Sequence, residues 1–326
     1  MSKLESILAV VPTERRLSPA VHRAIAYARR SQARLHLCLF DHYGPIDYAG
    51  RVFGAEVAER ARRDFLEERS RWLAEQARGL AEQGLRVECD VAWAPRRYEA
   101  IIGKILETQA DLVVKDVAND PAAGTLLPDA SDWKLLRLAP APLMLVRPQA
   151  RLLPHHLLAA VDVTVGEEGE ALNEAIVDAA RQYAAFSDAA LELVSVFSYV
   201  PVEAFGAGFI ADSYEIMDSA HKEALARFAT QHKIPASHIK RRVNLDVAAG
   251  IAEAARDAGA DLLVLGSAYH SGFEKLMFGT TAEALLRRAS CDALMVKPAG
   301  FVHELARHLD LDKLRERYAG PVAAAA

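Results

Sequence analysis

The chain has 326 residues, 52% hydrophobic and 25% charged, with a formal net charge of −5. That length predicts about two domains of roughly 150 residues, each able to hold a core without disulfide staples. The acidic balance excludes a general nucleic-acid binder, which would carry a basic patch, and no apolar run approaches the roughly 20 residues that span a bilayer. The N-terminal MSKLESILAVVP enters a strand-like apolar run directly, without the longer apolar stretch and cleavage site of a signal peptide. A long helix follows from about Ala55 to Gln83, ADLVVKD reads as a buried strand, and Arg151–Pro154 reads as a linker. After it come a strand at Leu157–Val163 and an amphipathic helix with Leu172, Ala175, Ile176, Ala179 and Tyr183 on one face. A strand at Ala190–Val200, a helix from about Asp212 to His232 and a strand at Ile239–Leu245 come next. A helix at Ala248–Asp257 ends where Gly259 suits a C-terminal cap. The strand ADLLVLG, a helix at Thr281–Ala289 and a strand at Ala293–Lys297 complete the order, before a tail with a short helix from about His303 to Tyr318.

The chain is written twice. ADLVVKD returns as ADLLVLG, ILAVVP as LLAAVD and APLMLVRP as DALMVKP, each displaced by 150 residues. The expected domains are residues 1–150 and 154–298, with a tail at 299–326. Strands alternating with helices predict two doubly wound parallel α/β sheets. Cys38, Cys89 and Cys291 form no CxxC pair, so buried thiols in a reducing cytoplasm are expected.

Open α/β sheets bind ligands beyond the carboxyl ends of their strands. In the second copy the first strand ends at Asp162, suited to accept from a ribose hydroxyl or an adenine amine. The fourth ends at Gly266, followed by a loop with Tyr269 and Gly272 that enters a helix at Gly279-Thr280-Thr281. Such a loop presents free backbone N–H groups and the positive end of the helix dipole to a phosphate. Thr280 and Thr281 could donate hydroxyl hydrogen bonds, and Gly272 could let the loop reshape. Val196 has two readings, a wall for the base or plain core, and core is the simpler. The loop also has a plainer reading, since Thr280 followed three residues later by Glu283 is a capping-box pattern.

These residues resemble the nucleotide-binding members of the universal stress protein family. Such members carry an Asp after the first strand, then Gly, two residues, Gly, nine residues, and Gly with Ser or Thr. Asp162, Gly266 and Gly279-Thr280 match, while the middle glycine falls on Tyr269, which resists the close approach or positive φ that glycine allows. Leu126–Pro148 of the first copy resembles the E-type, two-domain members. The resemblance implies adenine-nucleotide-hydrolase-like domains with strand order 3-2-1-4-5. It also implies an antiparallel pairing of Pro142–Arg147 with Ala293–Lys297, so that one chain mimics a dimer, with a further homodimer left open. ATP or AMP is the implied ligand of the second copy. The first copy puts Pro12, Asp116, Asn119, Asp129 and Ala130 at the matching positions, and its aspartates would repel a phosphate. Its loop instead reads as a cap, with Ser131 or Asp129 starting the helix that carries Trp133.

Three functions stay open. The first is a cytoplasmic stress protein that acts by binding, with one adenine-nucleotide site in the second copy. The second is a scaffold or apolar-ligand binder, supported by Tyr269 and by the aromatic residues Phe197, Tyr199, Phe205 and Phe209. The third is a weak ATPase, for which no general base can be named, so no catalytic residue is assigned. His303 and His308 are spaced to leave different helix faces and make a poor metal pair. Asp41-His42-Tyr43 reads as a polar loop rather than a catalytic pair.

Overall fold

The computed structural model describes residues 4–120, 122, 124–164, 166–198, 207–267, 279–318 and 323–324. The chain divides into two compact units. The first comprises residues 2–117, 128–153 and 302–326, and the second residues 118–127 and 154–301.

The first unit opens with β1 (Ser6–Val11), every residue of which is buried. Helix α1 (Pro19–Ser31) starts where the Ser18 side chain accepts from the Val21 N–H and Pro19 occupies the first turn. It ends at Gln32, in the left-handed region at φ 60°. Next come β2 (Arg34–Asp41), α2 (Gly44–Phe53), α3 (Ala55–Ala81), β3 (Val87–Trp93), α4 (Arg97–Thr108) and β4 (Leu112–Asp116). Between α2 and α3 the chain turns at Gly54, with φ 100°, a value glycine adopts without strain. The expected long helix is therefore preceded by a second helix, α2, and the Gly50 backbone approaches Ala58 too closely for a side chain.

β1 pairs in parallel with both β2 and β4, Ile7 lying opposite Leu35 and Leu112. A short hairpin of β5 (Ala118–Asn119) and β6 (Leu126–Leu127) belongs to the second unit, where the Leu126 N–H donates to the Ala289 carbonyl at 3.0 Å. Helix α5 (Ala130–Leu138) and β7 (Leu143–Val146) return to the first unit, giving strand order β7-β4-β1-β2-β3. This is the expected 3-2-1-4-5 arrangement.

The second unit repeats the order with β8 (His156–Ala160), α6 (Glu167–Ser187), β9 (Ala190–Phe197), α7 (Ala207–Gln231), β10 (Ile239–Val243), α8 (Val247–Asp257), β11 (Leu262–Gly266), α9 (Thr280–Leu286) and β12 (Asp292–Val296). Its strands run β10-β9-β8-β11-β12. The expected α6 face is buried at Ile176, Ala179 and Tyr183. Gly259 follows α8 at φ 61°, the left-handed position expected of it.

The tail forms two helices rather than one, α10 (Phe301–His308) and α11 (Leu311–Tyr318), and a short strand β13 (Ala323–Ala324). From Val302 onward it groups with the first unit. There α11 lies across α4 at Gly103, where a Cβ would stand 2.7 Å from the Leu314 carbonyl oxygen. Arg317 reaches Glu99 at 3.5 Å, and β13 runs antiparallel to β3 with Ala323 opposite Cys89. All three cysteines are buried, as expected.

Candidate functional site

In the second unit β8 is flanked by β9 on one side and β11 on the other, so the strand order reverses at β8. Asp162 and Gly266 stand at or just past the ends of adjacent strands, Val264 lying opposite Ala159. Val196 lies near the carboxyl end of β9, on the other side of β8. Asp162 is exposed. Its Oδ1 accepts from the Thr164 N–H at 2.9 Å and from the Thr164 hydroxyl at 2.6 Å. Its backbone is pinned by Asn173, buried on α6, which donates from Nδ2 to the Asp162 carbonyl at 2.6 Å and accepts from its N–H at 3.1 Å. Sequence reasoning passed over Asn173 because nothing local to α6 shows that its amide meets β8.

Gly266 has a packing reason of its own. A Cβ there would meet Leu172 Cγ, Cδ1 and Cδ2 at 2.6–2.8 Å, so the missing side chain lets α6 close on β11. Gly266→Ala should cost about 1–3 kcal/mol by overpacking. Urea denaturation would check this, and Gly266→Ala with Leu172→Ala should recover part of the loss. Val196 is half-buried and packs on α8, where a Cβ at Gly250 would stand 3.1 Å from its Cγ1. Its contacts are those of the core reading.

Helix α9 begins on Gly279, which supplies no side-chain cap, and a Cβ there would meet nothing within 4 Å. Thr280 and Thr281 are exposed. The capping box expected of Thr280 and Glu283 does not form: the helix starts one residue earlier than that pattern needs, with Gly279 at the N-cap, and Glu283 pairs with Arg287 at 3.1 Å, its i+4 neighbour. Tyr269 and Gly272 lie outside the described residues, as do Tyr199 and Phe205.

Beneath this edge lies a buried polar network. The Ser195 hydroxyl is 3.2 Å from His221 Nε2, and Arg241 Nε donates to His221 Nδ1 at 3.1 Å. Arg241 also pairs with Asp218. Burial, helped by the Arg241 guanidinium, holds His221 below the usual histidine range, against the pull of Asp162 and Asp218. An arginine can only donate, so Nδ1 must be the acceptor and the proton sits on Nε2, facing Ser195. His221 therefore cannot take the Ser195 proton, and the pair is an anchor for α7 rather than a nucleophile and base.

The model of the universal stress protein family matches residues 154–297. Universal stress protein A homolog 1 of Coxiella burnetii is 30% identical over 145 residues, 43% of this chain and 94% of that protein. The chain belongs to the universal stress protein family. It is also similar over nearly its whole length to universal stress protein E of Photorhabdus laumondii, at 25% identity across 92% of this chain and 97% of that one. A solved universal stress protein from Archaeoglobus fulgidus shares the fold, at 13% identity and TM-score 0.54, over 89% of this chain and 98% of that one. A Pseudomonas aeruginosa structure reaches TM-score 0.70 at 23% identity, over 94% and 97%.

Within this universal stress protein the first unit fills the corresponding places with its own carboxylates. Asp116 accepts from the Ala20 N–H at the start of α1, at 3.2 Å. Asp129, one of the two caps expected, accepts from the Asp132 N–H at 2.8 Å, and Asp132 accepts from the Asp129 N–H at 2.9 Å, closing a capping box on α5. Burial pushes the Asp132 carboxyl above its ordinary range while Lys115, at 2.7 Å, draws it back. Asp41 turns to Arg69 at 2.5 Å, and His42 to Asp47 at 2.6 Å, which is the polar-loop arrangement. Among the described residues no group of His, Cys, Asp and Glu could hold a metal ion, and no helix is long and apolar enough to cross a membrane.

Proposed function

We propose that this universal stress protein acts by binding an adenine nucleotide, ATP or AMP, in the second unit and not in the first. The observation that carries the reading is the contrast between two helix starts. Helix α5 opens on a capping box, Asp129 accepting from the Asp132 N–H and Asp132 from the Asp129 N–H, whereas α9 opens on Gly279 with no side-chain cap. An uncapped start leaves N–H groups and the dipole for a phosphate. Asp162, exposed on a backbone fixed by Asn173, is placed to accept from the ribose or the base. Gly266 sits at the end of β11, beside the nucleotide, and Tyr269 and Gly272 lie in the sequence between β11 and α9. Three buried thiols suit a reducing, cytoplasmic setting.

Thermal unfolding with nucleotide tests the proposal. ATP or AMP at about a hundred times Kd should stabilise by about 2.7 kcal/mol. Gly279→Asp, which puts a carboxylate at the α9 start, should remove the shift, and Tyr269→Gly should enlarge it. An unchanged melting curve at millimolar ATP would sink the proposal.

A further inference from the structure

The first unit holds a groove of about 960 Å³ along β3, within the size range of small-molecule sites. One wall is α3, with Leu73 and Ala74; another is β3, with Val91 and Trp93; and α11 of the tail contributes Arg317 and Tyr318. Trp93 is held in place by its neighbours. The His42 and Phe65 rings meet it edge-on at 4.9 and 5.6 Å, and the Arg62 guanidinium lies 4.8 Å from its ring centre. The charged lining holds four arginines against three carboxylates, and one of these, Asp90, is already taken by Lys104. Arg96 at 3.0 Å and Arg317 at 3.5 Å converge on the single carboxylate of Glu99. Glu99 is buried, while the two arginine side chains are 69% and 50% exposed. Two guanidiniums on one carboxylate leave a positive charge beside apolar walls, and solvent-facing N–H groups able to grip a second anion in the planar, forked manner of arginine.

The geometry points to a second ligand site in this chain, for an anionic amphiphile: an apolar chain along Leu73, Val91 and Trp93, with a carboxylate or phosphate head on Arg96 and Arg317. Half of the head-group clamp comes from the tail, so the site is complete only while α11 is docked on α4. It differs from the nucleotide site in unit, in chemistry and in its need for the tail.

Isothermal titration of the full chain with monomeric dodecanoate and dodecyl phosphate tests this, with dodecanol as the uncharged control. Both acids should bind, and dodecanol at least about tenfold more weakly, as expected for a lost charge-assisted contact. Arg96→Gln and Arg317→Gln remove a charge without setting a carboxylate against the buried Glu99, so they should keep the fold and weaken both acids about tenfold or more, and Arg317→Glu should weaken them at least as much. Gly103→Val, which must push Leu314 away, should weaken them similarly by undocking α11. Gly279→Asp should leave acid binding intact, which separates this site from the nucleotide site. Equal affinity for dodecanol, or no effect of Arg317→Glu, overturns the assignment. So does binding to phosphatidylglycerol vesicles without binding to the monomers, which would mean that a membrane headgroup is the ligand.

Discussion

Replacing Lys104 with methionine should destabilise the first unit by about 3–5 kcal/mol, the cost of breaking a buried charge cluster from one side. The Lys104 side chain on α4 is buried and serves two carboxylates, Asp90 on β3 and Glu107 one turn along α4 at 2.7 Å. Burial alone would lower its pKa, but the hydrogen bonds that the ammonium donates to Asp90 and Glu107, with their charge, more than reverse this and leave it above the ordinary lysine value. The ammonium is therefore bound more tightly by the folded chain than by the unfolded one. Its contribution is full below the ordinary lysine range and fades only as pH rises through the raised folded value. Methionine keeps the volume and strands two negative charges in a low-dielectric layer. In a thermal scan the transition of this unit should drop by about 10 °C. A drop below about 1 kcal/mol would show that water reaches Asp90 and Glu107 freely. Lys104→Met with Asp90→Leu and Glu107→Leu should regain most of the loss, because a charge cluster replaced as a whole by apolar groups is often neutral.

Arg23→Met should cost about 2–4 kcal/mol, given roughly 1.5–3 kcal/mol for each hydrogen bond to a charged group less the desolvation recovered. Arg23 sits on α1 with no exposed surface. Its guanidinium donates from Nε to the Leu152 carbonyl at 3.0 Å and from Nη2 to the Arg151 carbonyl. A buried cation thus ties the linker segment after β7 to the first helix of the fold. Chemical denaturation should register the loss, and trypsin should cut faster after Arg151 in the variant. Arg23→Lys should recover only part, since an ammonium cannot span two carbonyls as a planar fork does. Unchanged denaturation and cleavage would mean that the linker holds its path without Arg23.

Both predictions concern tertiary contacts that no sequence pattern announces. The parallel sheets were legible because continuous apolar runs such as ADLLVLG have one stable place, buried between helices, whereas the strand order came with the family resemblance. The Asp129 cap of α5 was legible because helix starts are written in one or two adjacent residues, whereas the start of α9 on Gly279 was not. Helix α2 was not, since it starts on Gly44-Pro45, buries only Ile46 and leaves Tyr48 and Phe53 exposed, so it lacks an apolar stripe. Glu283 fits both a capping box and an i+4 pair with Arg287, and local pattern cannot choose between them. Gly266 shows the same limit, because a glycine reserved for a phosphate and one reserved for Leu172 are the same letter.

The docking of the tail on α4 and β3 bears on how the protein is made. The first unit draws on residues 2–117 and 128–153, and then on residues 302–326. At about 5–20 residues per second, a ribosome needs roughly 10–30 s to travel from the end of β7 to the tail. Throughout that interval the nascent first unit presents β3 without its antiparallel neighbour at Cys89 and α4 without α11 over Gly103. An uncovered strand edge is a template for pairing with other chains, so the first unit stays open to such pairing until α11 and β13 have been made.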